Sequence, residues 1–490
     1  MDCSVGLATA LLHTLPHDLL VAILVACDTT YDLVSLQRVC REISARVEPA
    51  LRLRNSVPPD ARLPKGFSSW LQYLYWRDRR RMPPQKLAAA AFHSLIANAD
   101  GNLRACGADA HRRGYLGRGT AVFESEMPEP VPFPGIRERV ISVAAHSMHS
   151  LALASSGAVY SFGHGEFGKL GHGDEATVWL PRKIDALDGE RIVEVSAGQQ
   201  HNLVRSAKGH AYSFGSGFGG KLGHGDQSSR FVPERVRVLR DGADDVEATV
   251  SAVAAGSFHS LVVTSDGALF SFGHGLQLQL GHGVRQGELS PRRVEALSSV
   301  KVVAAAGGEN HTLIIDEEGC VYSCGAGEAR SASSSAWLGG WLGHGDFEEQ
   351  RLPKQIAALN GIRVLAVAAG SRHSVVLADG GAVYTFGAGE GGKLGHGDAR
   401  FQWLPTRVRA LNGVKVASIA AGESHALCAT REGEVYAWGS GALGLTPPQL
   451  TELHAADATS QVGSAGNYEW AYGESLLNRQ AHLPQLVDLS

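Results

Sequence analysis

Five histidines of this chain stand in the sequence Leu-Gly-His-Gly, and four of them are followed two positions later by an aspartate. They are His172, His224, His282, His344 and His396. Imidazole and carboxylate together can hold a metal ion, but only at bond lengths of about 2 Å. Because the five histidines lie 52 to 62 residues apart, each falls in a separate structural unit. We interpret them as turn residues and expect no metal site.

A second set of histidines keeps a fixed register with glycine, which follows each of them by eight and again by fourteen residues. Its seven members are His93, His149, His201, His259, His311, His373 and His425. Constant spacing inside the unit and variable spacing between units indicate one supersecondary element copied seven times. We interpret these histidines as hydrogen-bonded structural residues that tie one unit to the next.

No other motif indicates catalysis. The phosphate-binding pattern GxxxxGK[ST] is absent, and the glycines end hairpins instead of joining a strand to a helix. No serine or cysteine nucleophile motif stands out. We therefore expect no catalytic residues, no cofactor and no metal, and we expect a non-catalytic binding subunit.

Composition narrows the class of protein. The chain has 490 residues with a formal net charge of −4, which argues against direct nucleic-acid binding. Its seven cysteines are scattered and form no CxxC pair, as is typical of reduced thiols. The longest apolar run near the N-terminus has nine residues, from Leu19 to Cys27, too few to cross a membrane. We expect a cytoplasmic or nuclear protein, or one found in both compartments.

The repeated unit predicts short antiparallel strands. In the second copy, residues around His149 alternate, Ser156-Gly157 interrupts them, and β-favouring residues resume up to Phe162. This pattern is typical of a β-hairpin with a tight glycine turn. A Leu-Gly-His-Gly turn and a proline-led strand follow in most copies. Three or four strands are too few to be stable alone, so the copies must pack radially, and seven of them predict a seven-bladed β-propeller. We expect the N- and C-terminal strands to share one blade.

The order His-Ser-x-x-Leu, Gly, Val-Tyr-Ser-Phe-Gly, then Leu-Gly-His-Gly-Asp and Leu-Pro, resembles the repeat of the regulator of chromosome condensation family. The resemblance covers residues 86–490 and implies a seven-bladed propeller. It also implies an alternative function, guanine-nucleotide exchange on a Ran-like small GTPase. A plant ultraviolet-B photoreceptor of this family uses tryptophan two places before the repeated histidine. Those places here hold Ser147, Gln199, Ser257, Glu309, Ser371 and Glu423, so photochemistry is not expected.

Three segments depart from the repeat: residues 241–249, 329–341 and 446–479. Function-specific change collects on loops, and loop aromatics are frequent interface anchors. The candidate target-binding residues are Trp337, Trp341, Tyr468, Trp470 and Tyr472. The alternative is that these aromatic side chains fold back over the ring.

Residues 13–55 lie outside the repeats and predict two short amphipathic helices. The apolar positions are Leu15, Pro16, Leu19, Leu20, Ile23, Leu24, Leu33, Leu36, Val39 and Cys40. The order L-P-x-x-L-L-x-x-I-L, then D-L-x-x-L-x-x-V-C-R, resembles an F-box. That resemblance implies binding of a Skp-type adaptor of a cullin ubiquitin ligase through these residues. The alternative is a helical cap on the propeller.

The predicted organisation is therefore an F-box-like helical segment at 13–55, a linker at 56–85 and a propeller at 86–490. This pairing predicts a protein-interaction module, the substrate-receptor subunit of a Skp–cullin–F-box ubiquitin ligase. The alternatives are the exchange factor and a ligase-independent propeller scaffold. The sequence does not name the target protein.

Overall fold

The described residues form seven four-stranded antiparallel sheets, each contributed by one continuous stretch of chain. The computed structural model describes residues 86–98, 100–109, 111–133, 138–239, 246–330, 337–441, 443, 480–487 and 489. The chain divides into two units, Met1–Pro83 and Pro84–Ser490, and the described residues lie in the second. The prediction of a mainly-β, seven-bladed propeller is confirmed. The helical segment predicted at 13–55 and the linker at 56–85 lie outside the described residues.

Each blade is named by its place in the chain. Blades 1 to 3 contain β1 Leu87–Ala89, β2 His93–Ala97, β3 Leu103–Ala108, β4 Glu124–Pro130; β5 Val140–His146, β6 His149–Ala154, β7 Val159–Gly163, β8 Val178–Lys183; and β9 Ile192–Ala197, β10 His201–Ser206, β11 Ala211–Gly215, β12 Arg230–Val236. Blades 4 and 5 contain β13 Val250–Ala255, β14 His259–Thr264, β15 Leu269–Gly273, β16 Glu288–Arg293; and β17 Val302–Gly307, β18 His311–Asp316, β19 Val321–Gly325, β22 Gln350–Gln355. Blades 6 and 7 contain β23 Val364–Ala369, β24 His373–Ala378, β25 Val383–Gly387, β26 Gln402–Arg407; and β27 Val416–Ala421, β28 His425–Thr430, β29 Val435–Ser440, β30 Gln480–Val487.

A two-stranded ribbon and short 3-10 turns complete the described part of the fold. The ribbon pairs β20 Glu328–Arg330 with β21 Trp337–Gly339 inside blade 5. The 3-10 turns are Glu166–Gly168, Asp185–Leu187, Phe218–Gly220, Glu295–Leu297, Ala357–Leu359, Glu390–Gly392 and Arg409–Leu411. Within the described ranges there is no α-helix, and none of the 3-10 helices is long and apolar enough to span a membrane.

The fourteen-residue spacing of the repeat is the register of the central hairpin. His149 pairs with Gly163, and the equivalent histidine and glycine pair in every other blade. Gly163 has φ of +109°, and a Cβ there would lie 2.6 Å from the Met148 carbonyl oxygen. Only glycine accepts this backbone conformation and this close contact without strain. The fourteen-residue spacing of histidine and glycine therefore reflects the packing of the hairpin.

The hydrophobic core lies between the blades. Phe162 of blade 2 is fully buried against Leu95 and Ala105 of blade 1. Phe214 of blade 3 packs in the same way on Leu151 of blade 2. Similar clusters join the remaining neighbours. No blade can bury its faces alone, so the ring folds as one body.

The ring closes without a shared strand, which corrects the expectation from the sequence. Blade 1 is built from β1–β4 and blade 7 from β27–β30, so each terminal blade is complete in itself. The innermost strands contact their neighbours all the way round, including β1 with β27. Leu87 and Ile96 of blade 1 pack on Leu427 and Ala437 of blade 7. Side-chain packing therefore closes the ring.

Both the turn from first to second strand and the loop from third to fourth strand emerge on one face, because the strands of a blade are antiparallel and consecutive. We call this the loop face. The ribbon β20–β21 lies in such a loop of blade 5. The described part of the departure at 329–341 thus belongs to the loop face.

Candidate functional site

Six of the seven repeat histidines hydrogen-bond to the residue that follows the repeat histidine of the neighbouring blade. The Nε2 contacts are His93–Ser150 at 2.7 Å, His149–Asn202 at 2.8 Å, His201–Ser260 at 2.9 Å, His259–Thr312 at 2.9 Å, His311–Ser374 at 3.1 Å and His425–Ser94 at 2.8 Å. All seven histidines are fully buried. We call this ring of contacts the histidine belt.

The hydrogen bonds of the hydroxyl partners define the histidine tautomer. Ser260 Oγ donates its proton to the Lys221 carbonyl at 2.7 Å, so it must accept from His201 Nε2–H. Ser150, Thr312 and Ser374 also donate to backbone carbonyls. A hydroxyl has one proton, so the histidine supplies the other. The Nδ1 atoms of the belt have no hydrogen-bond partner within the described residues.

Burial keeps the belt uncharged. It lowers the pKa of His93, His149, His259 and His311 to about 3 and that of His425 to about 4. It also lowers the pKa of His201 and His373 well below the ordinary value. A group that stays neutral from about pH 5 upward and never meets solvent is not poised for acid–base catalysis.

The belt has one missing contact, between blades 6 and 7. The residue after His425 is Ala426, which has no hydroxyl, and His373 Nε2 is buried without a hydrogen-bond partner in the described part of the chain. In this blade Trp438 Nε1 donates to the Lys393 carbonyl at 3.0 Å, the acceptor that hydroxyls use elsewhere. The Trp438 indole thus makes the hydrogen bond to the carbonyl that the hydroxyl makes in other blades, but not the one to the histidine.

The histidines of the Leu-Gly-His-Gly turns are each held inside their own blade. His172 Nε2 lies 2.9 Å from Ser161 Oγ, and the hydroxyl donates to the Leu170 carbonyl at 2.6 Å. The other four make the same 2.9 Å contact. Among the described residues, no three His, Cys, Asp or Glu side chains form a group that could hold a metal. These histidines order turns.

The mouth of the ring on the loop face is polar and crosslinked. Ser257 Oγ of blade 4 lies 3.1 Å from His146 Nε2 of blade 2. In blades 5 and 6, Ser371 Oγ donates to the Glu309 carboxylate, and Arg372 Nε lies 4.0 Å from that carboxylate. Desolvation and the nearby Glu309 raise the pKa of Glu423. The mouth can make polar contacts with a partner, but it shows no catalytic arrangement.

Trp341 is not part of an exposed recognition loop, which corrects the sequence prediction. Its side chain is 1% exposed, packs with Ala326 and Leu342, and donates from Nε1 to the Ala326 carbonyl. It stands directly before a Leu-Gly-His-Gly turn, where Lys169 and Lys221 stand in other blades. The insertion lengthens the sequence before Trp341, but the residue keeps the position in the blade that the lysines have elsewhere.

The other predicted interface residues are placed only in part. Trp337 lies in the ribbon strand β21. Tyr468, Trp470 and Tyr472 lie outside the described residues. The ten apolar residues predicted to bind an adaptor, Leu15, Pro16, Leu19, Leu20, Ile23, Leu24, Leu33, Leu36, Val39 and Cys40, lie outside them as well.

Sequence reasoning missed the most exposed apolar side chains of the loop face. Phe218 is 71% and Leu276 53% exposed, and they occupy equivalent loop positions in blades 3 and 4. Beneath Phe218 lies Lys221, which is 2% exposed. Aligning the loops copy by copy would have singled out these positions, since blades 2 and 6 have Glu166 and Glu390 there.

Comparison with known proteins agrees with this architecture. The family description "RCC1-like domain" matches residues 78–411, and the regulator of chromosome condensation (RCC1) repeat matches residues 416–444. The chain belongs to the RCC1-like domain family. This assignment and its relatives support a protein-interaction module.

Relatives of this RCC1-like chain include two proteins from a plant and from human. The ultraviolet-B receptor UVR8 of Arabidopsis thaliana is 34% identical over 302 residues, or 61% of this chain and 65% of UVR8. The human E3 ubiquitin-protein ligase HERC2 is 33% identical over 377 residues, or 74% of this chain but 7% of HERC2. The chain thus spans just under two thirds of one relative and a small part of the other.

Solved structures share the RCC1-like propeller. Human WBSCR16 is 26% identical with a TM-score of 0.59, covering 70% of this chain and 86% of that one. Yeast RCC1 (Prp20), solved with Kap60, is 23% identical with a TM-score of 0.60, covering 88% of this chain and 90% of that one. At this identity the yeast structure supports the fold alone.

Proposed function

We propose that this chain is the substrate-receptor subunit of a Skp–cullin–F-box ubiquitin ligase. The observation that carries the proposal is the pairing of an F-box-like pattern at residues 13–55 with a propeller that carries an inserted ribbon, β20–β21, on its loop face. The first part would bind a Skp-type adaptor, and the second would hold a target protein. The propeller region also resembles part of a protein named as an E3 ubiquitin-protein ligase.

The proposed role needs no chemistry from the chain itself. A receptor subunit must present a target in a steady orientation, which requires a rigid body carrying variable loops. The histidine belt and the inter-blade cores supply rigidity, since each blade is bonded to and packed on its neighbours. The loop face supplies sequence variation without disturbing that frame.

Adaptor binding tests the proposal directly. Purified Skp-type adaptor should bind the full chain, and the double substitution Leu19→Asp and Ile23→Asp should abolish binding, because buried carboxylates in an apolar interface are strongly unfavourable. Leu180→Asp on the outer strand of blade 2, where the side chain is 45% exposed, is the matched control and should bind normally. Equal binding by all three proteins would overturn the receptor role.

The exchange-factor alternative makes a different demand on the same propeller. An exchange factor opens the nucleotide site of a Ran-like GTPase and accelerates nucleotide release at catalytic concentrations. Prp20p of Saccharomyces cerevisiae, which is 24% identical to this chain, has binding properties toward Gsp1p and histones. Release of a fluorescent guanine nucleotide from a Ran-like GTPase is the measurement, and clear acceleration would favour this alternative over the receptor.

A further inference from the structure

Four blades carry equivalent loops at the start of the connection from third to fourth strand. The loops are Gly165–Leu170, Gly217–Leu222, Gly275–Leu280 and Gly389–Leu394, in blades 2, 3, 4 and 6. Each has an exposed residue at its second position, the tip, and a buried residue three places later. The four pairs are Glu166 with Lys169, Phe218 with Lys221, Leu276 with Gln279, and Glu390 with Lys393.

In blades 2 and 6 the tip residue supplies a negative charge to a buried lysine. Burial lowers the pKa of Lys169 to about 8, and Glu166 opposes this shift. Burial also lowers the pKa of Lys393, and Glu390 is the first group that opposes it. A carboxylate near a buried ammonium offsets part of its desolvation. In these two blades the acid and the buried lysine therefore occur together, and the negative charge raises the pKa of the lysine.

In blade 4 both charges are absent together. Leu276 stands at the tip and Gln279 at the buried position. The side-chain amide of Gln279 donates from Nε2 to His274 Nδ1 at 3.1 Å, and its Oε1 accepts from the backbone N–H of Gln277 at 3.0 Å. A neutral tip is therefore matched by a neutral, hydrogen-bonded buried residue.

Blade 3 keeps the lysine but not the acid. Lys221 is 2% exposed, and among the described residues no acid contributes to the shift of its pKa. Its Nζ lies 5.7 Å from the centroid of the Phe218 ring. Burial alone lowers the pKa of Lys221 to about 8. A buried cation without an anionic partner is unfavourable unless something else supplies one.

The surface over Lys221 is apolar. Phe218 and Leu276 are the most exposed of the large apolar side chains described, at 71% and 53%. The next turn of blade 4 carries Val284, 46% exposed, where four other blades have aspartate. A Cβ on Gly219 would lie 3.9 Å from His274, so the two loops adjoin. Neither Phe218 nor Leu276 is needed to pack the ring.

We propose that this patch, formed by Phe218, Lys221 and Leu276, binds a partner protein through a segment in which a carboxylate adjoins a bulky apolar side chain. The carboxylate pairs with Lys221, in the role that Glu166 and Glu390 have in their own blades. The apolar side chain packs on Phe218 and Leu276. The inference specifies the partner chemistry of the proposed interaction role and does not depend on adaptor binding.

The charges of the patch select this partner over a basic one. Lys221 is the buried charge, and a second cation brought beside it would be repelled in a region of low dielectric constant. A carboxylate supplies the negative charge that Glu166 and Glu390 supply in blades 2 and 6, and charge-assisted hydrogen bonds are the strong ones. Apolar contact with two exposed side chains adds affinity without charge.

A selection of short random peptides displayed on phage, on immobilised full-length protein, tests the proposal. Enriched peptides should carry Asp or Glu within two positions of Phe, Leu, Ile or Trp. Synthetic labelled copies are then measured by fluorescence anisotropy. Affinity should also fall as the pH rises above about 8, where the Lys221 ammonium loses its proton.

Two substitutions that copy residues of other blades make the test specific. Phe218→Glu installs the tip acid of blade 2, whose carboxylate should pair with Lys221 within the chain and so compete with the peptide. Lys221→Gln installs the buried residue of blade 4. Each should weaken peptide binding by about tenfold or more. Lys393→Gln in blade 6 and Leu180→Ser on the rim are the matched controls and should leave affinity unchanged. Thermal unfolding verifies that all four variants are folded.

Three outcomes would overturn the inference: no enriched peptides, enriched peptides that are basic, or unchanged affinity for Phe218→Glu and Lys221→Gln. The adaptor experiment is independent of these results. Both patch variants should bind the adaptor like the unaltered chain if the receptor role holds. A failure of the patch and a failure of the receptor role are therefore distinguishable.

Discussion

His425 Nε2 lies 2.8 Å from Ser94 Oγ, although the two residues are 331 positions apart. The contact joins blade 7 to blade 1, and both residues are fully buried. Since no strand is shared between the ends of the propeller, this hydrogen bond and the apolar cluster around Leu87 and Leu427 hold the ring closed. Closure therefore depends on side chains at the repeat positions of the first and last blades.

Ser94→Ala should therefore destabilise the whole propeller. The substitution leaves the buried His425 Nε2 without its partner, and an unsatisfied buried polar group costs about 1–3 kcal/mol. The free energy of unfolding in urea, followed by tryptophan fluorescence, is the measurement. Ser155→Ala, at an exposed hairpin turn, is the control and should change stability by less than about 0.5 kcal/mol. Equal effects of the two substitutions would contradict the closure role.

Ala426→Ser should strengthen the interface of blades 6 and 7. The added hydroxyl can accept from His373 Nε2, which now has no partner within the described residues. A satisfied buried hydrogen bond contributes about 1 kcal/mol. The same urea titration measures it, and the gain should vanish when His373→Phe is combined with Ala426→Ser. A gain that persists in the double variant would show that the hydroxyl acts elsewhere.

Acid should unfold the propeller through the belt. The histidines are neutral when folded, with pKa values of about 3 to 4 for five of them, against about 6.5 when unfolded. The unfolded chain thus binds more protons between these values. Stability is fully present above about pH 6.5 and falls as the pH is lowered, by about 1.4 kcal/mol per pH unit for each histidine.

A titration of unfolding free energy from pH 7 to pH 4 verifies this sign. His311→Gln is the informative variant, because its amide can still donate to Ser374 Oγ but does not titrate. Its slope against pH should be smaller by about one proton. An unchanged slope would mean that His311 is not among the groups that take up protons.

Two glycines with the same backbone angle separate strain from steric overlap. Gly343 has φ of +79° and a Cβ there would lie 2.8 Å from Phe386 Cε2, whereas Gly361 has φ of +80° and open space around it. Gly361→Ala should cost about 1–2 kcal/mol from the left-handed backbone alone. Gly343→Ala should cost about 1–3 kcal/mol more, because the Phe386 side chain between blades 5 and 6 must shift. Similar melting temperatures for both variants would contradict the close packing.

The sequence by itself determined the propeller. Its spacing of histidine and glycine is the hairpin register, since His149 and Gly163 must face each other and only glycine tolerates that position. The number of copies determined the number of blades. These features are local and repeated, so they can be recognised from the sequence alone.

The tertiary structure alone decided how the ring closes and where a partner could bind. Ser94 and His425 become neighbours only after seven blades have packed, and Trp341 is buried only because its blade keeps the register that the insertion hides. Lys221 looks like its counterparts Lys169 and Lys393 in the sequence. Its isolation is decided by burial and by the absence of an acid within reach among the described residues, and both are properties of distance in the folded chain.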